Sequence, residues 1–480
     1  MEKLKNTNIY QWIGYGLTVV YVLAAAWLLI KAAGLDMLPG KYLLIIGILL
    51  AILAAVFLIM HERFLSSVIA SLLTVAMTVL CVLGSSYIKK TDHMIAEVTS
   101  ADTQTNVMAL YVMDKDPAEK LEDVKDYKVG MSFDKDEENT KKAAVYFEEQ
   151  LGSELKTKEC KTMFTMMNDL KQEKLGAVLL NEAYTGIISD VEGFEWVDTD
   201  IRKIASMEIE VEQKSEAKVP DSVPETFVMY LSGIDTYGGI SARSRSDVNI
   251  LAVVNIQTKD ILLLSTPRDA YVSYSETGGE KDKLTHAGIY GIDASMDALE
   301  QLYGIDINYY LRVNFTGFMD IIDALGGIEV NSDYEFTVQN IKTYHKGLNK
   351  VTGIEALAFA RERYSFKEGD YQRAKNQMEV IRAVVQKCAS SSLLRNYGSV
   401  MNAIGGSFET NMPDEQISEL VKMQLSDMSQ WNISSYTTNG TSRHAETYSM
   451  PGQSLYVIDL DEKAVEKAKE LIQEVYQGKE

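Results

Sequence analysis

The first part of the chain alternates between long uncharged apolar runs and short polar connections. The runs are Ile9–Ile30, Tyr42–Met60 and Phe64–Ile88. Each is long enough to cross about 30 Å of hydrocarbon as a helix that rises about 1.5 Å per residue. A cleaved signal peptide is the alternative for the first run, but two further runs follow it and no small-residue cleavage pattern stands out. The pattern therefore predicts a membrane anchor with three transmembrane helices over residues 1–90.

After the anchor, short β-rich runs alternate with stretches of helical spacing. The predicted strands are Val107–Val112, Tyr127–Met131 and Lys174–Leu180. One helix is predicted to begin at Asp116 and Pro117, and a second is predicted over Thr140–Leu151. Such alternation is typical of crossover units around a mostly parallel sheet. Residues 91–212 are therefore predicted to form a small α/β accessory domain.

The segments EKLEDVKDYKVG and LGAVLLNEAY of this accessory domain resemble one lobe of a periplasmic solute-binding protein. The domain either senses a ligand or partner, or serves as a spacer or docking domain. Fold analogy alone does not carry function, so the second interpretation is favoured. The polar residues 213–225 contain Pro220 and Pro224, a composition typical of a linker between domains.

From Thr226 onward, β-rich runs followed by helical patterns predict an α/β domain over residues 226–440. Two of the runs are joined by the short polar segment Gln257–Asp260, which indicates a hairpin. The predicted strands are Phe227–Leu231, Val248–Ile256 and Ile261–Ser265, and the predicted helices are Ala294–Leu302, Thr316–Leu325, Ile354–Phe359, Asp370–Cys388 and Pro413–Met428. A strand at Leu455–Leu460 and a helix at Glu462–Tyr476 are predicted to form a structural cap within a C-terminal extension, 441–480.

Composition narrows the possible functions. The formal net charge of −21 argues against a general nucleic-acid surface, because phosphate binding needs basic patches, although a local arginine cluster remains compatible with it. The three cysteines have no close-spaced partner, so neither a cysteine metal site nor a disulfide framework is predicted. The chain has no Ser, Cys or His nucleophile motif and no Gly-rich nucleotide signature, which leaves a kinase or dehydrogenase interpretation with little support.

Charged side chains gather at the ends of the predicted strands and helices between Thr226 and Lys387. Planar guanidiniums bind phosphate oxygens bidentately and stay charged at any working pH. Carboxylates among them fit Mg²⁺, which bridges phosphate oxygens. For any single arginine a surface salt bridge is the alternative, but the whole set fits a pyrophosphate substrate. Its charged members are Asp235, Arg243, Arg245, Asp247, Arg268, Asp269, Lys283, Arg361, Arg363, Asp370 and Arg373, and the polar Gln377 accompanies them.

Two spacings within this set predict local geometry. Arg361 and Arg363 are two residues apart, so an extended backbone would place both guanidiniums on one face. Asp370, Arg373 and Gln377 have the spacing i, i+3, i+7 and would share one face of a helix, with Asp370 as its N-terminal cap.

Several motifs follow one another in a fixed order: GID, RSD, STPRD, KLTHAGIYG, DALGGIEV, GIEALAFARERY and GDYQRAKNQ. Together they resemble the LytR–CpsA–Psr family over roughly Thr226–Lys387, and more loosely as far as Asn439. The resemblance implies a three-layered α/β domain with a mainly antiparallel central sheet and a hydrophobic tunnel for a polyprenyl chain.

The resemblance also implies roles for individual residues. Asp235 and Asp247 look like the carboxylates that hold Mg²⁺, and with Arg268 they form the expected catalytic set. Arg243 is left open, because only Arg245 has the R-x-D spacing. The expected pyrophosphate ligands and their supporting positions are Arg245, Arg268, Arg361, Arg363, Arg373, Gln377, Lys283 and Asp370.

The implied function is a phosphotransferase that moves an anionic glycopolymer from a polyprenyl-pyrophosphate carrier to peptidoglycan. A sugar hydroxyl of peptidoglycan would attack the sugar-linked phosphorus, and polyprenyl phosphate would leave. Asp235 and Asp247 are candidate bases, whereas His286 is interpreted as structural because no acidic partner at a useful spacing orients it.

The expected location is the bacterial cell membrane, with several spans and the large C-terminal portion outside. This orientation follows from the resemblance, because the lysines and arginines near the spans do not settle it. The alternative function is a non-catalytic membrane receptor that binds lipid-linked polymer and regulates envelope assembly.

Overall fold

The computed structural model describes residues 8–99, 103–212, 218–234, 240–390, 400, 403 and 408–478. Three long helices open it: α1 (Ile9–Gly34), α2 (Gly40–Met60) and α3 (Phe64–Thr99). All three contain segments long and apolar enough to cross a membrane, and most of their apolar side chains face outward. The predicted membrane anchor is confirmed to that extent.

The anchor contacts the large C-terminal portion through the connection between α1 and α2. Asp36 in that connection pairs with Lys422 at 2.7 Å, and the Lys41 ammonium donates to the carbonyl of Ser426 at 2.5 Å. An odd number of spans places this connection and the end of α3 on the same side, so the contact is consistent with a three-span topology.

The accessory domain is a five-stranded sheet with helices, in the strand order β3-β2-β4-β1-β5. Its elements are β1 (Thr103–Met113), β2 (Lys128–Ser132), α4 (Glu137–Leu151), β3 (Lys156–Cys160), α5 (Met163–Lys171), β4 (Ala177–Asn181), α6 (Thr185–Ser189) and β5 (Ile201–Glu212). Only β2 pairs in parallel, with β3 and β4, whereas β1 runs antiparallel to both β4 and β5. The predicted crossover units are present as β2–α4–β3 and β3–α5–β4. The expected mostly parallel sheet is corrected to a mixed one with two parallel and two antiparallel pairings, because β1 lies between β4 and β5 and runs against both.

The helix predicted to open at Asp116 and Pro117 is also wrong. Only a single 3-10 turn forms there, at Leu121–Val124. The Asp116 carboxylate accepts hydrogen bonds from the backbone N–H of Ala118 and the hydroxyl of Tyr127, which holds the segment as a loop.

The C-terminal α/β domain is built on a six-stranded sheet with the order β16-β11-β6-β7-β8-β17. Its first elements are β6 (Thr226–Ile234), β7 (Ser246–Asn255), β8 (Asp260–Ser265), β9 (Tyr271–Val272), β10 (Asp282–Lys283), α7 (Leu284–Tyr290), α8 (Ile292–Tyr303), β11 (Tyr309–Asn314) and α9 (Phe315–Ala324). There follow β12 (Ile328–Ser332), β13 (Phe336–Val338), β14 (Lys342–Tyr344), β15 (Gly347–Val351), α10 (Gly353–Arg361) and α11 (Asp370–Cys388). The chain continues with β16 (Phe408–Thr410), α12 (Asp414–Asp427), β17 (Asn432–Thr437), β18 (Gly440–Ala445), β19 (Leu455–Leu460) and α13 (Glu462–Tyr476).

Pairing in this sheet is mixed and largely antiparallel, which confirms the predicted fold class. The pairs β16–β11, β6–β7 and β7–β8 are antiparallel, and the pairs β11–β6 and β8–β17 are parallel. The predicted hairpin is present between β7 and β8. Its turn is held by the side-chain oxygen of Asn255, which accepts from the backbone N–H of Gln257 and of Thr258.

Alternating side chains bury both faces of the sheet. Leu251 and its neighbours pack against Leu299 of α8 and Ile472 of α13 on one face. Ile250 lies on the opposite face, in a core that includes Met378 of α11. Helices therefore cover the sheet on both sides, and the C-terminal helix α13 belongs to this core.

The accessory domain is docked firmly against the C-terminal domain. Ile187 and Ile188 of α6 are fully buried in a cluster that also contains Ile289 of α7 and Met450. The backbones are joined as well: the N–H of Thr105 donates to Ser241 at 2.9 Å, and the N–H of Arg243 donates to Thr105 at 2.8 Å. The two domains thus share an apolar core and a short backbone pairing.

Truncating the shared core is expected to loosen the accessory domain. Met450→Ala removes a side chain that is 1% exposed, which typically costs about 2–5 kcal/mol of stability. We expect a lower midpoint of thermal unfolding and faster hydrogen exchange in α6. Leu348→Ala, at a position 75% exposed, is the control and should change neither. A destabilised Met450→Ala protein with unchanged exchange in α6 would contradict the docking.

Candidate active site

The candidate site lies along one edge of the six-stranded sheet. Strands β6, β8 and β11 end at this edge, and β7 begins there, because β7 runs antiparallel to its two neighbours. The loops that follow these strand ends therefore come together. They bring Asp247, at the start of β7, beside Arg268, which follows β8.

Asp247 and Arg268 form the central ion pair. One terminal nitrogen of the Arg268 guanidinium lies 3.1 and 3.0 Å from the two Asp247 carboxylate oxygens. The hydroxyl of Thr285 donates to the same carboxylate at 3.2 Å. Burial alone would raise the pKa of Asp247, but Arg268, Arg245 and Arg373 outweigh it and hold that pKa well below its usual range. Asp247 is therefore ionised throughout the physiological pH range.

Helix α7 fixes the backbone that carries Arg245. A Cβ atom on Gly288 of α7 would lie 2.6 Å from the carbonyl oxygen of Ser244 and 2.9 Å from the amide nitrogen of Ser246. Only glycine permits this close approach, which holds the start of β7 against α7.

A second pair of arginines lies at the start of α11. Arg373 pairs with Asp370 at 3.1 Å, and Arg363 pairs with the same carboxylate at 3.4 Å. The helical spacing of Asp370 and Arg373 is confirmed. The cap assignment was wrong, because Gly369 is the cap residue and Asp370 is the first residue of the helix. Gln377 lies one turn further along α11, half-buried.

Arg361 and Arg363 do not share an extended segment. Arg361 ends helix α10 and is exposed, with its guanidinium 4.3 Å from the centre of the Phe315 ring, whereas Arg363 lies in the loop beyond the helix. The expected common face was therefore wrong, because the helical pattern of GIEALAFAR continues through Arg361.

Arg245 and Lys283 form a buried row behind the central pair. Lys283 is only 3% exposed and pairs with Asp269 at 3.0 Å. Asp190 of the accessory domain also faces this row, 3.2 Å from Arg245 and 3.5 Å from Lys283. Burial opposes its ionisation, but Arg245 and Lys283 hold the pKa of Asp190 below its usual range. Nothing in the local sequence of Asp190 indicated a role at this site.

Arg243 points away from this row. Its guanidinium donates to the side-chain oxygen of Gln104 in the accessory domain at 3.2 Å, which is consistent with leaving it out of the expected ligands. Asp235 lies outside the described residues, so its expected place beside Asp247 stays a prediction.

The expectation that His286 has no acidic partner was wrong. Its Nδ1 lies 2.8 Å from a carboxylate oxygen of Asp282, which precedes it by four residues. Asp282 also accepts from the hydroxyls of Tyr274 and Ser449. Both members of the pair are fully buried, so His286 has no exposed nitrogen with which to meet an acceptor sugar.

The carboxylates present fit Mg²⁺ only in part. Among the described residues, no three His, Cys, Asp or Glu side chains are grouped so that they could hold a metal ion. Mg²⁺ often takes one or two carboxylates and completes its shell with phosphate oxygens and water. Asp247 is suitable as one such ligand because it is ionised at the edge of the sheet. A metal role for Asp247 and Asp235 stays a prediction.

The fold and this edge define a class of α/β protein in which buried arginine–aspartate pairs surround the end of a largely antiparallel sheet. The sequence profile of the LytR_cpsA_psr family matches residues 198–473, more than half of the chain. The chain therefore belongs to the LytR–CpsA–Psr family.

Particular relatives carry a functional name. The chain is 38% identical over 208 residues to the polyisoprenyl-teichoic acid–peptidoglycan teichoic acid transferase TagU of Bacillus cereus. The matched segment covers 43% of this chain and 66% of the relative. The TagU of Enterococcus faecalis is 34% identical over 212 residues, covering 44% and 69%. The match thus spans slightly less than two thirds of the Bacillus relative. The crystal structure of B. subtilis TagV is 27% identical with a TM-score of 0.45, covering 53% of this chain and 98% of that one.

Replacing the central carboxylate should destabilise the protein in a pH-dependent way. Asp247→Asn leaves Arg268 and Arg245 without their main counter-charge, a loss of about 3–5 kcal/mol. Because the pKa of Asp247 is lowered on folding, its stabilisation is present above the unfolded pKa of about 4 and disappears as pH falls through the folded pKa. The stability difference from wild type should be constant from about pH 5 to 8 and shrink below about pH 4.

Thermal unfolding across this pH range measures the difference. Asp306→Asn is the matched control, since Asp306 pairs with Lys218 on the exposed surface, and its effect on stability should be small at every pH. An Asp247→Asn difference that persisted unchanged at about pH 2 would contradict the lowered pKa.

Proposed function

We propose that this chain transfers a glycopolymer from a polyprenyl-pyrophosphate carrier to peptidoglycan. The observation that carries the proposal is the cluster of buried arginines around the ionised Asp247, at the edge of a domain shared with the teichoic acid transferases. Guanidiniums held by carboxylates are pre-oriented to receive phosphate oxygens without large rearrangement.

In this proposal the acceptor oxygen of a peptidoglycan sugar forms a bond to the sugar-linked phosphorus. The bond from that phosphorus to the bridging oxygen breaks, and polyprenyl phosphate leaves with the electron pair. Arg268, Arg363 and Arg373 offset the negative charge on the phosphates and on the leaving group. Catalysis then rests on positioning and charge stabilisation.

The proton of the acceptor hydroxyl passes to solvent in this scheme. Asp247 is a weak base because its pKa is held low, and His286 is sealed in the core. Mg²⁺, when bound by Asp247 and by Asp235, would neutralise part of the phosphate charge.

Transfer of a lipid-pyrophosphate-linked saccharide to peptidoglycan fragments tests the proposal directly. The full chain in lipid nanodiscs should transfer the saccharide, and EDTA should suppress the reaction. Arg268→Ala and Arg373→Ala should each lower the rate about 100-fold or more, because each removes charge stabilisation near the reacting phosphates. Lys375→Ala is the matched control, since Lys375 lies two residues along α11 from Arg373 with its side chain exposed.

A thermal unfolding curve for each variant shows whether a lost rate reflects lost fold. Tight binding of the lipid substrate without transfer, insensitive to EDTA, would instead favour the receptor function.

The proposed acceptor lies outside the cell membrane, so we place the large C-terminal portion outside as well. Glu192 in the accessory domain and Glu62 in the α2–α3 connection are both exposed and lie on opposite sides of the three spans. In whole cells, a membrane-impermeant maleimide should label Glu192→Cys and leave Glu62→Cys unlabelled until the cells are opened. The unaltered chain, in which Cys81 and Cys160 are buried and Cys388 is half-buried, gives the background against which the labelling is measured. The reverse labelling pattern would exclude this orientation.

A further inference from the structure

Helix α6 of the accessory domain lies directly against Arg245. One terminal nitrogen of the Arg245 guanidinium donates to the carbonyl of Gly186 at 2.8 Å and lies 3.2 Å from the Asp190 carboxylate. A Cβ atom on Gly186 would come within 2.5 Å of the guanidinium carbon. Glycine at this position therefore leaves the space in which the arginine side chain sits.

This contact belongs to a fixed interface. The same short helix buries Ile187 and Ile188 in the core shared with Ile289 of the C-terminal domain. Moving the Asp190 backbone away from Arg245 would require these side chains to leave that core and expose apolar surface. The placement of Asp190 is therefore set by packing on both sides of the interface.

The negative charge of Asp190 offsets repulsion among the neighbouring cations. Arg245, Arg268 and Lys283 are cations gathered in a largely buried space, so they repel one another unless carboxylates separate them. Asp247 and Asp269 come from the C-terminal domain, whereas Asp190, which pairs with both Arg245 and Lys283, comes from the accessory domain. Arg245 is thus held between Asp190 on one side and the central pair on the other.

We propose that the accessory domain completes the head-group site, with Asp190 as a positioning residue that holds Arg245 and Lys283 for a pyrophosphate. This inference rests on the proposed function, since it assigns Arg245 to the substrate phosphates. The accessory domain then has a role in substrate binding beyond that of a spacer.

The opposite role for the same contact is a plug, in which Asp190 occupies the place of a substrate phosphate and inhibits the site. The two roles predict opposite changes in pyrophosphate affinity when Asp190 is replaced. Removing a positioning carboxylate weakens pyrophosphate binding, whereas removing a plug strengthens it. The shared apolar core favours positioning, because a plug has to leave before substrate enters.

Binding of geranylgeranyl pyrophosphate and geranylgeranyl monophosphate to the full chain in detergent distinguishes these outcomes. We expect Asp190→Asn to weaken pyrophosphate binding roughly 10- to 100-fold, the loss that is typical when residues that orient metal ligands are removed. Monophosphate binding should weaken much less. Asp190→Glu, which keeps the charge, should restore part of the loss. Glu192→Gln makes the same charge change two residues away at an exposed position and should bind as wild type does.

A double-mutant cycle shows whether Asp190 acts through Arg245. Arg245→Ala and Asp190→Asn should be strongly non-additive, with the double variant binding pyrophosphate about as weakly as Arg245→Ala alone. Gly186→Ala, which displaces the guanidinium without altering any charge, should reproduce the loss in pyrophosphate binding. A purely structural role for Asp190 would lower the unfolding temperature and leave the ratio of pyrophosphate to monophosphate affinity unchanged.

Three results would overturn the inference: unchanged affinity in Asp190→Asn, tighter binding in that variant, or additive effects in the cycle. Because binding is measured apart from transfer, the two proposals can fail separately. Wild-type protein that transfers polymer while Asp190→Asn binds normally would leave the proposed function standing without this inference. Protein that binds pyrophosphate in an Asp190-dependent way but transfers nothing would leave the inference standing without the proposed function.

Discussion

The pairing of Asp247 with Arg268 is the interaction on which the rest of the site depends. Several guanidiniums can lie close together in a largely buried space only if ionised carboxylates lie between them. Asp247 meets this condition because three arginines hold its pKa low, and it is placed at the edge of the sheet by the start of β7. The antiparallel course of β7 between β6 and β8 brings the loop with Arg268 to the same edge.

The same requirement explains the arrangement around this pair. At the start of α11, the Asp370 carboxylate forms ion pairs with Arg363 and Arg373. In the buried row of Arg245 and Lys283, the carboxylates of Asp269 and Asp190 form ion pairs with Lys283. Each cation therefore has a defined direction before any anion arrives. Under the proposed function, a pyrophosphate would replace solvent at the exposed guanidinium faces, while the carboxylates on their other side keep the geometry.

The accessory domain contributes to this charge arrangement as well as to packing. Its short helix α6 carries two buried isoleucines into a core with α7, and the carboxylate that follows them reaches Arg245. Only the 3-10 turn Glu182–Tyr184 separates the end of β4 from α6, so the sheet fixes where this helix begins. The connection to the membrane anchor is separate, through Asp36 and Lys422 at α12.

Local pattern by itself determined a large part of this protein. Three uncharged runs predicted three helices long enough to span a membrane, and the short polar turn before Ile261 predicted a hairpin. The ordered arginine motifs identified the family and the candidate phosphate ligands. These features are local because hydrophobic period, turn composition and motif order are written in neighbouring residues. The i, i+3 pairing of Asp370 and Arg373 was predictable for the same reason.

Only the tertiary structure decided what depends on residues distant in the chain. The place of Arg361 at a helix end over Phe315, the burial of Lys283 and the pairing of His286 with Asp282 each depend on how elements pack. The antiparallel addition of β1 and β5 depends on a long return of the chain that local spacing does not specify. Asp190 is the clearest case, because a carboxylate in an otherwise ordinary loop gains its partners only when two separate hydrophobic surfaces bury each other.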